Sequence, residues 1–140
     1  MNDDDRADCA VCAALLHASR VWEALALAAM LLGAVAASLP VPRVAVLIGL
    51  TVLATLERYL AIRVALDARL FDSLADGRLG NLPRLDGALQ RVLSVPASKA
   101  GRALAPRIAG ARRLARLHLA AVGALVAAAA VAIVTAASRH

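Results

Sequence analysis

Glu57 and Arg58 stand side by side in the stretch LERYLAIRVALDARLFD, where a long apolar run turns charged with no Gly or Pro to end a helix. Adjacent residues on a helix do not face each other, and neither side chain has an opposite charge three or four positions away. Each therefore needs a partner from another segment. A carboxylate at the edge of hydrocarbon can relay a proton or cation, or it can reach to water and hold a subunit contact. The second role asks less of its surroundings.

A second group with chemical capacity is CAVC, which places Cys9 and Cys12 three apart with His17 five residues beyond the second thiol. Such a pair can bind a soft metal or cycle a disulfide. With His118 a four-ligand zinc site can be drawn from Cys9, Cys12, His17 and His118, but one CxxC lacks the second Cys pair or close His pair of an ordinary zinc signature. The Ala-rich flanks from Ala10 to Ala18 read as a helix with small buried thiols. No metal and no cofactor is expected. No Ser, His and Asp constellation, phosphate-binding Gly loop or paired His motif is visible, so an enzyme is not expected either.

The elements that must position these residues are membrane spans. In 140 residues the chain is 61% hydrophobic with only three aromatics, unlike a soluble core. Arg outnumbers Lys fifteen to one, a composition that suggests a bacterial source. Three segments meet the roughly 20 apolar residues a bilayer crossing requires: Val21 to Leu39, Arg43 to about Ile62, and about Leu117 to Ala137. The expected fold is all-α, a polytopic membrane protein with three transmembrane helices. Its parts are a tail over residues 1–20, a hairpin with an extended second helix over 21–76, a basic loop over 77–116 and a third span over 117–140. The acidic N-terminus lacks the positive region of a secretory signal, so the first span is expected to be retained.

Pro40, Val41 and Pro42 separate the first two spans and predict a tight turn. Eleven of the sixteen Lys and Arg lie between Arg63 and Arg116, which places the long loop and the N-terminus in the cytoplasm and the C-terminus outside, as in a bacterial inner membrane. Counted outward from that turn, Trp22 lies level with Tyr59 and Glu23 with Arg58, so Glu23 is the expected partner of Arg58 and Glu57 is left unassigned. The second helix should run on into the cytoplasm to about Ala75, ending at the cluster of Gly77, Gly80 and Pro83. Along it Leu60, Val64, Ala68 and Phe71 form one apolar ridge and Ile62, Leu66 and Leu70 another, while Arg69 and Asp72 are spaced to pair.

Small residues recur every fourth position at Ala120, Ala124, Ala128 and Ala132 in the third span and at Ala29, Gly33 and Ala37 in the first. Such stripes let membrane helices approach closely. They lead to the expectation of a homo-oligomer or a subunit of a larger membrane complex, with Ala128 near the contact. In the loop, RLDGALQRVLSV can form a short amphipathic helix with Leu85, Ala88, Leu89, Val92 and Leu93 on one side. Arg102, Arg107, Arg112, Arg113 and Arg116 are expected among anionic phospholipid headgroups. The loop has no aromatic for base stacking, and nucleic acid is not an expected partner. The chain thus reads as a small accessory or self-assembling membrane subunit that docks partners or anionic lipid on its cytoplasmic side; the alternative is an oligomeric ion or proton channel or transporter using Glu57.

Overall fold

The computed structural model describes residues 2–38, 44–93 and 101–138, and among them there are helices and no strand. The order is α1 (Asp3–Ala18), α2 (Arg20–Ser38), α3 (Val44–Ala75), α4 (Leu82–Leu93) and α5 (Leu104–Ala137). Three helical stretches are long and apolar enough to cross a membrane: Asp3–Ser38, Val44–Ala75 and Leu104–Ala137. The first contains α1 and α2, with a turn at Ser19 between them. The expected turn at Pro40 to Pro42 lies outside the described residues, as do Arg43, Lys99 and Arg139.

The chain divides into two compact units, one built from residues 1–18 and 64–114 and the other from residues 19–63 and 115–140.

In the first unit α1 is started by Asn2 and Asp5. The Asp5 N–H donates to Asn2 Oδ1 at 2.7 Å and the Asn2 N–H to Asp5 Oδ2 at 3.0 Å, a reciprocal capping box. Asp3, Asp4 and Asp5 in the first turn also suit the positive end of the helix dipole. The tail expected over residues 1–20 is thus an ordered helix that buries Cys9, Cys12, Ala13 and Leu16 along one stripe. On α3 the buried positions are Val64, Ala68, Phe71 and Leu74, whereas Leu66 of the other ridge is exposed. The α3 helix ends where Gly77 takes φ 73°, a left-handed conformation that other residues adopt only with strain. Asn81 then caps α4 by accepting from the Arg84 N–H at 3.0 Å. The α4 helix buries Leu85 and Asp86, while Val92, expected on the same apolar side, is 78% exposed. Pro106 lies in the first turn of α5, where its missing N–H removes no helical hydrogen bond.

The second unit holds α2, the first part of α3 and the apolar part of α5. Ala26, Leu50, Val122 and Leu125 form its buried cluster, with Met30, Leu53, Ala54 and Ala128 packed around it. The fully buried residues of α2 are all small, Ala26, Ala29, Gly33 and Ala37. A Cβ added at Gly33 would meet Ala129 Cβ at 3.0 Å and Ala129 Cα at 3.1 Å, so the α2 and α5 backbones approach as closely as glycine permits. Larger apolar residues point outward: Val21, Leu32, Val44, Val52, Val131 and Val134 are each exposed by 60% or more. That arrangement inverts a soluble domain and suits helices whose surroundings are lipid.

Candidate functional site

Glu57 follows the apolar part of α3 and its side chain is 2% exposed; His118 on α5 is 1% exposed. Burial of this depth requires partners, because an isolated carboxylate in an apolar setting is strongly disfavoured. The partner is His118, whose Nε2 lies 3.0 Å from Glu57 Oε1 across 61 residues of sequence. The bond is satisfied when Nε2 carries the proton, in either the neutral or the charged imidazole.

The other carboxylate oxygen, Glu57 Oε2, lies 3.5 Å from Arg58 Nη2, and Arg58 Nη1 lies 3.5 Å from Glu23 Oε2. Four charged or titratable groups on three helices thus form one chain in the order Glu23, Arg58, Glu57, His118. At one end Arg58 is 46% and Glu23 28% exposed, while at the other Glu57 and His118 are 2% and 1% exposed. Arg58 and Glu23, paired in expectation from the sequence, lie in contact. The partner of Glu57 is the residue that sequence reasoning missed. A signal existed, since His118, like Glu57, is a polar group at the edge of an apolar run with no local counterpart, but pairing them required knowing the depth of α5 against α3.

This arrangement can do two things chemically. It ties α3 to α5 by a hydrogen bond that few other side-chain pairs would reproduce, and it provides one short path along which a proton can pass between imidazole and carboxylate. The nearby hydroxyls donate to their own helix: Thr51 to the Leu47 carbonyl and Thr55 to the Thr51 carbonyl, both at 2.8 Å.

In the first unit the residues singled out by the sequence are engaged in contacts of their own. His17 Nε2 lies 2.6 Å from Asp72 Oδ2, so α1 is pinned to α3 and the carboxylate expected to serve Arg69 serves His17. Cys9 and Cys12 are free thiols and buried. Burial, then Asp5 and Asp8, pushes the Cys9 thiol up; burial, Cys9 and Asp67 push Cys12 up against a smaller opposing effect of Arg112. Both are held in the less reactive protonated form. Among the described residues no group of three or more His, Cys, Asp or Glu side chains is arranged to hold a metal ion.

Asp86 accepts from the Gly101 N–H at 2.8 Å and from Arg107 Nη2 at 2.6 Å. Burial alone would raise its carboxyl, but these two bonds and the guanidinium charge outweigh it and hold the group below the usual carboxylate value. Arg107 is consequently not among headgroups as expected. It is 16% exposed and also donates from Nε to the Arg102 carbonyl at 3.0 Å. The other four arginines of that set, Arg102, Arg112, Arg113 and Arg116, are exposed.

The small residues of the third span divide between two faces. Ala132 is buried and Ala128 half-buried against the cluster of the second unit, whereas Ala120 and Ala124 are exposed. Comparison with known protein families, with curated proteins and with solved structures returns no match to this chain.

Proposed function

We propose that this chain is an assembly subunit of a bacterial inner-membrane complex, self-associating or joining a larger partner through the outward face of α5. The observation that carries the reading is that face. Ala120, Gly123, Ala124 and Ala127 follow one another at helical spacing, all are exposed, and a Cβ added at Gly123 would meet nothing within 4 Å. Membrane helices associate through small residues because lipid supplies no hydrophobic drive, so close backbone packing must provide the attraction. The equivalent small face on α2 is already filled by α5 at Gly33.

The charge distribution supports an orientation in which the residues from Arg63 to Arg116 lie in the cytoplasm, where the exposed Arg102, Arg112, Arg113 and Arg116 meet anionic phospholipid or an acidic partner surface. A conducting role for Glu57 finds less support, because its carboxylate is turned inward onto His118 and is 2% exposed. Gly123→Leu tests the assembly reading directly. The added side chain has room in the single chain, so folding should be preserved while the assembly seen by crosslinking in native membranes and by light scattering in detergent shifts to smaller species. An unchanged size distribution would overturn it.

A further inference from the structure

Beside the buried pair, α2, α3 and α5 line a groove of about 560 Å3, within the range of small-molecule sites. On α3 the lining runs from Thr51 to Ile62, which at 1.5 Å per residue is about 16 Å, close to one leaflet of a hydrocarbon core roughly 30 Å thick. Ala26, Leu27 and Met30 of α2 and the buried Leu125 of α5 complete it.

For most of that length the walls call for no polar partner. The Thr51 and Thr55 hydroxyls donate to carbonyls of their own helix, and Glu57, 2% exposed, turns its two oxygens to His118 and Arg58. The polar part of the groove is made by Arg58 and Tyr59, which are 46% and 58% exposed. Arg58 is the only cation among the described lining residues. A guanidinium keeps its charge at any working pH, so the sign of what it attracts does not depend on how the neighbouring carboxylates or imidazole titrate. Its contacts with Glu23 and Glu57, both at 3.5 Å, are longer than the roughly 2.7–2.9 Å of a charge-assisted hydrogen bond, and its planar fork of N–H groups retains donors for a closer acceptor.

An apolar trough about one leaflet long, with a half-exposed guanidinium and a phenol towards one end, has the outline of a single membrane lipid. A second apolar helix laid there would cover Arg58 without offering it an acceptor, which is costly in hydrocarbon. A phosphate diester offers two oxygens matched to the guanidinium fork, and the Tyr59 hydroxyl can donate a further bond. We propose that the groove holds one phospholipid, its phosphate on Arg58 and one acyl chain along Met30 and Leu125. The site shares no residue with the exposed arginines from Arg102 to Arg116. It does not depend on the assembly proposed above, since every residue in it comes from one unit of one chain.

The test uses the full chain, stripped of lipid in maltoside micelles, with native mass spectrometry counting the molecules retained. The probes are dioleoyl phosphatidylglycerol, dioleoylglycerol, which has the chains without the phosphate, and inorganic phosphate, which has no chain. Phosphatidylglycerol should saturate a first site at one per chain, at a concentration at least about tenfold below that required by dioleoylglycerol, and inorganic phosphate should not displace it. Arg58→Gln should remove that preference. Because this variant also disturbs the contacts with Glu23 and Glu57, Thr55→Trp provides a second route: it fills the groove from an exposed position, leaves Arg58 in place, and should weaken retention by about tenfold or more. Equal retention of dioleoylglycerol, or a preference that survives Arg58→Gln, would overturn the proposal and leave the groove to acyl chains alone. Displacement by inorganic phosphate would overturn it in favour of a simple anion site. Undiminished retention in Thr55→Trp would assign the lipid to the surface arginines and overturn it as well.

Discussion

Removing one member of the Glu57–His118 pair should cost more than removing both would suggest. His118→Leu leaves Glu57 Oε1, in a side chain 2% exposed, without a donor, while Arg58 remains 3.5 Å from Oε2. In a water-soluble protein, breaking such a pair costs about 3–5 kcal/mol and replacing both partners by apolar residues is often neutral. In a membrane the unfolded reference keeps its spans in an apolar medium, where the carboxylate finds other donors, and polar pairs between helices average about 0.6 and reach about 1.7 kcal/mol. A carboxylate accepting from imidazole belongs near the top of that range, because charge-assisted bonds are about twice as strong as neutral ones. We therefore expect a coupling of about 1.5 kcal/mol in a cycle of Glu57→Leu, His118→Leu and the double variant. The assay is reversible unfolding in mixed micelles by titration with dodecyl sulfate, followed by helix circular dichroism and by the emission of Trp22, the chain's single tryptophan. Single-variant effects that simply add to the double, within about 0.3 kcal/mol, would refute the claim that this bond holds α3 to α5.

Three further perturbations follow from the same structure. Gly33→Leu should destabilise the second unit by about 1–3 kcal/mol in the same unfolding assay, because a Cβ at 3.0 Å from Ala129 Cβ already forces helices apart; wild-type stability would contradict the close approach. The Asp86 carboxyl is held below its usual value, so its contribution is fully present above the unfolded value of about 3.9 and is lost as pH falls through the lower folded value. Asp86→Asn should accordingly lower stability by about 1–3 kcal/mol at neutral pH, and the gap to wild type should close on acidification below about pH 4; a gap that persisted there would refute the assignment. Membrane-impermeant maleimide applied to intact cells should label Pro42→Cys and spare Arg102→Cys, with the pattern reversed in inverted vesicles; labelling of both from one side would remove the proposed orientation.

What could be read without coordinates follows from local rules. A helix needs only its own residues to satisfy its backbone, so the length and apolarity of Arg20–Ser38 and Val44–Ala75 are written in composition and period, whereas α5 begins at Leu104, ahead of the span expected from about Leu117. The end of α3 was legible for the same reason, since the left-handed turn at Gly77 is a property of that residue. The Glu23–Arg58 pairing was accessible because a short turn, expected from Pro40 and Pro42, would convert sequence distance into depth. Less legible was α1. Its acidic start and Ala-rich body suggested a helix with small buried thiols, but not that Leu16 would be buried or that His17 would reach Asp72.

Tertiary structure decided which face of each helix turns inward and which distant residues meet. Along α3 two apolar ridges of similar strength left the choice open, and packing buried Val64, Ala68 and Phe71 while leaving Leu66 exposed. Ala128 and Ala132 turned inward and Ala120 outward because α2 presented Gly33 opposite Ala129, a contact whose register no single helix encodes. Arg107 left the expected set of lipid-facing arginines because Asp86, the one acid among its basic neighbours, lay within reach once α4 and α5 packed. The Glu57–His118 bond is the clearest case. Periodicity gives each helix its faces, but depth and rotation between helices are set by side chains interlocking across them, so a partner 61 residues away becomes visible only when α3 and α5 are placed side by side.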